Sequence, residues 1–293
     1  MLWTAAVLVA LSGAAMPSEA AAYCRLTTES PSPNELCSGE GTPLAWGERC
    51  ISYSLVQRTQ TEPPFEEVRA AADRAFGSWA AVGCEQGPID LSLRQTDALS
   101  RCTVPEHNPR GGNIHSVIFL DDWEEQGLPG DAFGLTLIWH SPESGEIFDA
   151  DMLLNETMGR FSVCAESCEP GQVDLENVIT HEAGHFLGLG HSRLPSAAMY
   201  GESRVGEVSK RNLTDDDVAG ICEVFGAAEG GGSCQTDDHA PRGGLATGCY
   251  EPDDGCAVGT PGDTGVGAGG SGALLILVAL GLARRRRLRR GLA

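Results

Sequence analysis

Apolar residues recur along the chain with two spacings. Ile51, Tyr53 and Leu55 alternate with polar neighbours, which predicts a strand. The stretch PPFEEVRAAADRAFGSWAAVGC, 63–84, places Phe65, Val68, Ala72, Phe76 and Trp79 at three- and four-residue steps behind two prolines. That spacing predicts an amphipathic helix with one buried face. Alternation returns at Ile89, Leu91 and Leu93, and HSVIFL (115–120), GLTLIW (134–139) and IFDADMLL (147–154) read as three further strands. A second helix follows Asp174 as N-cap, with Leu175, Val178, Ile179, Phe186 and Leu187 as its apolar positions. A third covers 213–225. Thr214 is its N-cap, and three aspartates fill the first turn, where the helix dipole favours anions. Strands interspersed with helices, without strict βαβ alternation, predict an α+β fold over roughly 37–226. No internal repeat is visible.

The two ends differ from this unit. Residues 1–22 carry an apolar run, Leu2 to Ala15, and then small residues ending Ala20-Ala21-Ala22. This is the pattern of a secretory signal with an A-x-A cleavage site, although the basic first part is missing. Residues 23–42 are rich in Ser, Pro and Gly and read as irregular; 227–263 reads as a linker partly stapled by cysteines. From Gly265 to Ala283 the chain is almost uncharged, and RRRRLRR follows at 284–290. The expectation for 264–293 is an apolar helix that marginally spans a bilayer, held by arginines on the cytoplasmic side.

Charge narrows the function classes. Six of the 20 basic residues lie in the tail and one of the 41 acids lies in the first 22 residues, so the part between has a net charge near −26. Such a surface excludes nucleic acid and anionic lipid as partners of the domain and suits a soluble, monomeric secreted protein. Eleven cysteines in an exported chain read as disulfides, with one left over. No C-x-x-C pair occurs, which argues against a zinc ribbon or a redox motif.

The chemistry is concentrated in HEAGHFLGLGH, 181–191, which holds three of the chain's seven histidines. His181 and His185 project from one helix face, with Glu182 beside them. Gly188 can take the positive φ that ends the helix, and the reversal brings His191 back as a third ligand. Three imidazoles that leave one position for water form the open, catalytic type of zinc site. Zinc there would acidify the water and polarise a carbonyl, with Glu182 as general base. His107, His115, His140 and His239 are isolated in the sequence and read as surface or core residues.

HEAGHFLGLGHS followed by AAMY resembles the metzincin metalloproteases, with H-E-x-x-H-x-x-G-x-x-H and a Met-turn. Ser192 after the third histidine, and Met199 eight residues after His191, resemble the matrixins within that clan. LTDDDVAGICEVFG and GEIFDADMLLN are similar to matrixin elements too, so the resemblance covers about 43–226. It implies a twisted, mostly parallel sheet with an active-site helix and a C-terminal helix. It also implies a zinc endopeptidase acting on protein or peptide substrates, with Met199 as a hydrophobic floor that binds no metal. Tyr200 directly follows the methionine and is given no catalytic role.

Three departures from the family matter. The strands GLTLIW and IFDAD lack histidines for a second, structural zinc, so one zinc is expected. Asp149 matches one calcium ligand, but Met152 stands where an acid is expected, which leaves Ca2+ an open possibility. A prodomain is not seen before the first strand, so the enzyme is expected to be active once folded and exported. The tail resembles the MYXO-CTERM sorting tails of some Gram-negative bacteria, with Cys256 as the sorting cysteine. The wall segment 201–210 has no large aromatic, which suggests an open pocket and broad specificity. The competing reading is a surface adhesion or binding module that keeps zinc without turnover. Retention of Glu182 favours the enzyme.

Overall fold

The computed structural model describes residues 22–29, 40–56, 63–96, 100, 102–226, 234–246 and 248–249, and the backbone of 274–282. The main sheet contains β1 (Cys50–Leu55), β2 (Ser92–Gln95), β3 (Ser116–Leu120), β4 (Ala132–His140), β5 (Glu146–Asn155), β6 (Glu202–Ser203) and β7 (Leu274–Leu282). A two-residue strand, Ala45–Trp46, also pairs with β5. The spatial order is β6-β7-β4-β5-β3-β1-β2. β2, β1, β3 and β5 run parallel, and β4 is antiparallel to β5. The helices are α1 (Phe65–Ala80), α2 (Leu175–Phe186) and α3 (Asp215–Phe225). This is the expected α+β arrangement with a mostly parallel sheet.

The central strands are buried on both faces, as parallel strands usually are. One face packs on the helices. Val68, Ala71, Ala72, Ala75, Phe76 and Trp79 of α1 join Val178, Ile179, Ala183 and Phe186 of α2 in the main core. The other face carries a smaller cluster with Ile118, Leu120, Trp123, Leu135, Leu137 and Leu153. Period-two alternation divides the strands between these clusters, with Val117 in the first and Ile118 in the second. The small alanines of α1 let α2 approach closely. Trp79 Nε1 donates to Thr180 O at 2.9 Å, so this fully buried indole keeps its polar atom paired. Phe76 stacks on Tyr53 at 3.9 Å and meets Phe186 edge-on at 5.5 Å, joining strand, first helix and second helix.

Four disulfides lie among the described residues: Cys50–Cys234, Cys84–Cys222, Cys102–Cys249 and Cys164–Cys168. The first and third tie the expected linker to the domain. Its residues 234–246 are docked: Asn113 donates to Gly244 O and accepts from Ala246 N, and His239 Nε2 lies 3.0 Å from Ser92 Oγ. Ile89 and Leu91 are buried as expected, but the laddered part of that strand is Ser92–Gln95.

The tail corrects one expectation. Over Leu274–Leu282 the apolar run is a strand, not a helix, and it pairs antiparallel with β4 from Leu274↔His140 to Gly281↔Ala132. Among the described residues no helix is long and apolar enough to cross a membrane. The physical reason is the edge of β4. Without a neighbour it presents a row of unpaired N–H and C=O groups, and an uncharged run without proline can pair with them. The signal-like residues 1–21, Cys256 and the arginines 284–290 lie outside the described residues.

Trp79 is the largest side chain between the two helices. Trp79→Ala should lower unfolding stability by about 3–5 kcal/mol, through the cavity it leaves between the helices. A urea titration checks this. A loss below about 1 kcal/mol would show that α1 does not hold α2 in place.

Candidate metal centre

The site begins with the cap of α2. Asp174 accepts from Asn177 N at 2.8 Å, and the same carboxylate takes Cys164 N and the Arg211 guanidinium. Every residue of α2 is buried, so the helix presents His181, Glu182 and His185 inside the molecule. Gly188 follows at φ 96°, donating to His185 O at 2.9 Å. A Cβ at that position would lie 2.8 Å from Leu44 O, so both conformation and space require glycine. The reversal places Leu189–Gly190 against Cys24–Arg25 and returns His191 toward α2.

The three imidazoles converge. Their ring centroids are 4.6 Å (181–185), 4.8 Å (185–191) and 5.3 Å (181–191) apart. One nitrogen from each lies within 4.8 Å of the other two. His181 Nδ1 is 2.6 Å from Ala198 O and His185 Nδ1 is 2.8 Å from Leu189 O. A carbonyl only accepts, so both Nδ1 atoms carry the proton. Burial, followed by the neighbouring imidazoles, holds the basicity of both rings well below the usual histidine range, so they are neutral. Their Nε2 atoms therefore face each other at 3.0 Å as two lone pairs. That arrangement is repulsive without a cation, and it fits a metal that takes neutral imidazole.

Glu182 is fixed from β4. Thr136 Oγ1 donates to Glu182 Oε2 at 2.6 Å. Gly134, two residues earlier on the same face, leaves room for the carboxylate; a Cβ there would lie 2.8 Å from Oε1. Sequence reasoning missed both. Their signal was a Thr and a Gly in an otherwise apolar strand.

Met199 lies beneath the helix. A Cβ on Gly184 would collide with its sulfur, so Gly184 is what lets the turn reach α2. Asp217, in the first turn of α3, accepts from Ala198 N at 2.9 Å and Met199 N at 3.0 Å while sharing a capping box with Thr214. Asp216 accepts from Ser192 Oγ at 2.6 Å and from Ala22 N and Tyr23 N at 2.8 and 2.9 Å. The acids expected to serve the helix dipole therefore also hold both segments that flank His191. Lys210 was not anticipated either. It is 2% exposed, donates to Tyr200 O at 2.7 Å, and sits 5.5 Å from the Tyr200 ring.

The remaining histidines are not all isolated in space. His107 and His115 both reach Asp149, at 3.1 and 2.6 Å. Asp149 also accepts from Ala150 N, so its oxygens are committed to protein donors, and Met152 is core. The calcium expectation gains no support at this position. His140 is buried with Nδ1 near Ser141 O, and His239 lies by Ser92.

The matrixin family pattern matches residues 45–226. The chain belongs to the matrixin family. It is 30% identical to the metalloendoproteinase 1-MMP of Arabidopsis thaliana over 186 residues, which are 62% of this chain and 44% of that one. It is 34% identical to 2-MMP of the same plant over 170 residues, 56% and 39% of the two chains. A shorter stretch of 58 residues, 20% and 22% of the two chains, is 45% identical to matrilysin of Rattus norvegicus. This matrixin spans less than half the length of those relatives. The family implies zinc, which agrees with the donor set described above.

Lys210 makes a pH prediction. Burial lowers its pKa from 10.5 to about 8. The folded chain holds that proton less tightly than the unfolded chain, so unfolding takes up a proton between about pH 8 and 10.5. The contribution of this group to stability therefore rises across that interval. Lys210→Met should flatten the rise, measured as denaturation midpoint against pH; an unchanged slope would show that Lys210 keeps an ordinary pKa.

Proposed function

We propose that this matrixin is an exported, monomeric zinc endopeptidase. In this reading His181, His185 and His191 hold one zinc ion, Glu182 is the general base, Met199 is the floor and Gly188 the turn. The observation that carries it is the pair of facing imidazole nitrogens with a buried carboxylate one residue from His181. When bound, zinc supplies Lewis acidity, polarising a peptide carbonyl and acidifying a water.

The chain's own residues do the rest. Carbonyl acceptors at Ala198 and Leu189 aim two rings and set their tautomer. Glu182 accepts a proton from the attacking water and returns it to the leaving amine. Thr136 orients the carboxylate by donating to Oε2 at 2.6 Å. Low exposure of the site keeps these charges in a low-dielectric setting, where each interaction is stronger.

Specificity would come from 201–210. An open cleft of about 520 Å³ lies there, lined by Tyr200, Glu202, Arg204, Val205 and Ser209 among others. Its openness favours broad selection of protein or peptide substrates. Four disulfides support an oxidising compartment. Cys256 is proposed as a sorting residue at which the tail is processed. The non-catalytic binding-module reading is less favoured, because a module that only holds zinc has no need of a buried glutamate oriented from β4.

Glu182→Gln should keep zinc, measured as metal per chain, while turnover of casein falls by roughly 10²–10⁴-fold because the amide accepts no proton. His185→Ala should lose the metal itself. Near-native turnover in Glu182→Gln would remove Glu182 as the base. Wild-type protein that binds zinc but cuts no protein substrate would favour the binding module. For the tail, wild type and Cys256→Ser are compared by cell fractionation and mass; identical compartment and mass would show that Cys256 does not direct sorting.

A further inference from the structure

We infer that Leu274–Leu282 is a built-in occupant of the peptide slot, holding the enzyme latent while the segment remains attached. The inference rests on the peptidase reading above. It replaces the expectation of an enzyme that is active as soon as it folds.

The slot is defined by backbone pairing. β7 is inserted between β4 and β6, antiparallel to the first and parallel to the second, with Glu202↔Gly281 and Ser203↔Leu282 on the far side. β6 belongs to the wall segment that follows Met199. The inserted strand therefore joins the sheet edge to the pocket wall. Its register takes it past the general base. Val278 lies opposite Thr136, which donates to Glu182, and Leu280 lies opposite Gly134, which makes room for that carboxylate. With the strand in place, His181, Glu182 and His185 are each 0% exposed. A peptidase must admit a peptide to those groups.

A strand edge offers one row of donors and acceptors. An extended substrate that pairs with β4 to reach Glu182 would use the row that β7 already uses, so the two exclude each other. The competition is intramolecular. Cys249 is fixed to Cys102, and 24 residues separate it from Leu274. A tether of that kind gives an effective concentration on the order of millimolar. Typical KM values reach about a millimolar at most, so an attached strand of ordinary affinity outcompetes substrates at micromolar levels. Cleavage of the chain between Cys249 and Leu274 would end that advantage.

The test compares the full chain with a Val278→Pro/Ala279→Pro variant. Successive N–H groups of a strand point to opposite sides, so one of the two prolines removes a donor to β4 whichever way the ladder is phased. Zinc content is checked in both proteins. Turnover is read with casein and with a quenched fluorogenic peptide, and amide exchange is read over 132–140. The expected result is a rise in kcat/KM of about tenfold or more, as a slot open a few per cent of the time becomes fully open. The β4 amides should lose protection in parallel. Equal turnover in the two proteins overturns the inference, as does a wild-type β4 edge that exchanges as fast as the variant's. If neither zinc-loaded protein cuts any substrate while β4 loses protection in the variant, the occupied slot stands and the peptidase reading falls.

Discussion

Two buried imidazoles that point their lone pairs at each other are the constraint on which the rest of the site depends. Left alone, His181 and His185 would rotate to hydrogen-bond elsewhere. They are held because Nδ1 of each already donates to a backbone carbonyl, one in the Met-turn and one in the helix-ending turn. The sequence distance between those carbonyls and the helix explains much of the surrounding architecture. Ala198 must be brought back under α2, and Leu189 must reverse immediately after it. Asp217 performs the first task by gripping two turn amides, and Gly188 performs the second through its positive φ. A carboxylate with several N–H donors is a strong and directional clamp, stronger than a neutral acceptor in the same place.

Close approach is the second constraint, and glycine meets it. The carboxylate of Glu182, the sulfur of Met199 and the ring of His191 press against Gly134, Gly184 and Gly201 respectively. A side chain at any of the three positions would have to displace a group of the site. The packing of α1 against α2 supports this tight arrangement from behind. Its alanines bring the helices together, and Trp79 closes the remaining gap while satisfying a carbonyl of α2. Packing density and site geometry are thus set by the same side chains, which is why interior substitutions near α2 should disturb chemistry as well as stability.

How much of this was legible follows from range. His181, Glu182, His185, Gly188 and His191 were visible because helical period and one turn fix their relation within eleven residues. Caps at Asp174 and Thr214 were visible for the same reason, and the three helices lie where their periods placed them. Thr136, Gly134 and Lys210 were not, because each meets the site through tertiary packing across dozens of residues. The meeting of His107 and His115 on Asp149, and the pairings Cys50–Cys234, Cys84–Cys222 and Cys102–Cys249, are also long-range facts with no local signature. The strand at Leu274–Leu282 is illegible in the sequence for a different reason. A short apolar run without polar interruptions has no period, so helix and strand cannot be told apart by pattern. What decided for a strand was a partner, the edge of β4, which no local property of the run encodes.

That edge is also where the proposed recognition and the proposed chemistry would share one strand. β4 is the antiparallel member beside a parallel set, so it ends the ladder that β2, β1, β3 and β5 form. Its Thr136 steadies Glu182, while the row of backbone groups along its edge is the one that pairs with β7. Any extended chain that adds to this row is automatically placed in register with Thr136, and hence with the carboxylate one hydrogen bond away. In the proposed reading, rigid pairing would convert an unspecific backbone ladder into positioning of a peptide beside Glu182, with side-chain selection left to the wall after Met199. The same property makes an unpaired edge a hazard for aggregation. On the inference drawn above, a segment of the chain that fills the edge would remove the hazard and close the site in one contact, because the surface to be protected and the surface proposed to receive a peptide are the same row of atoms.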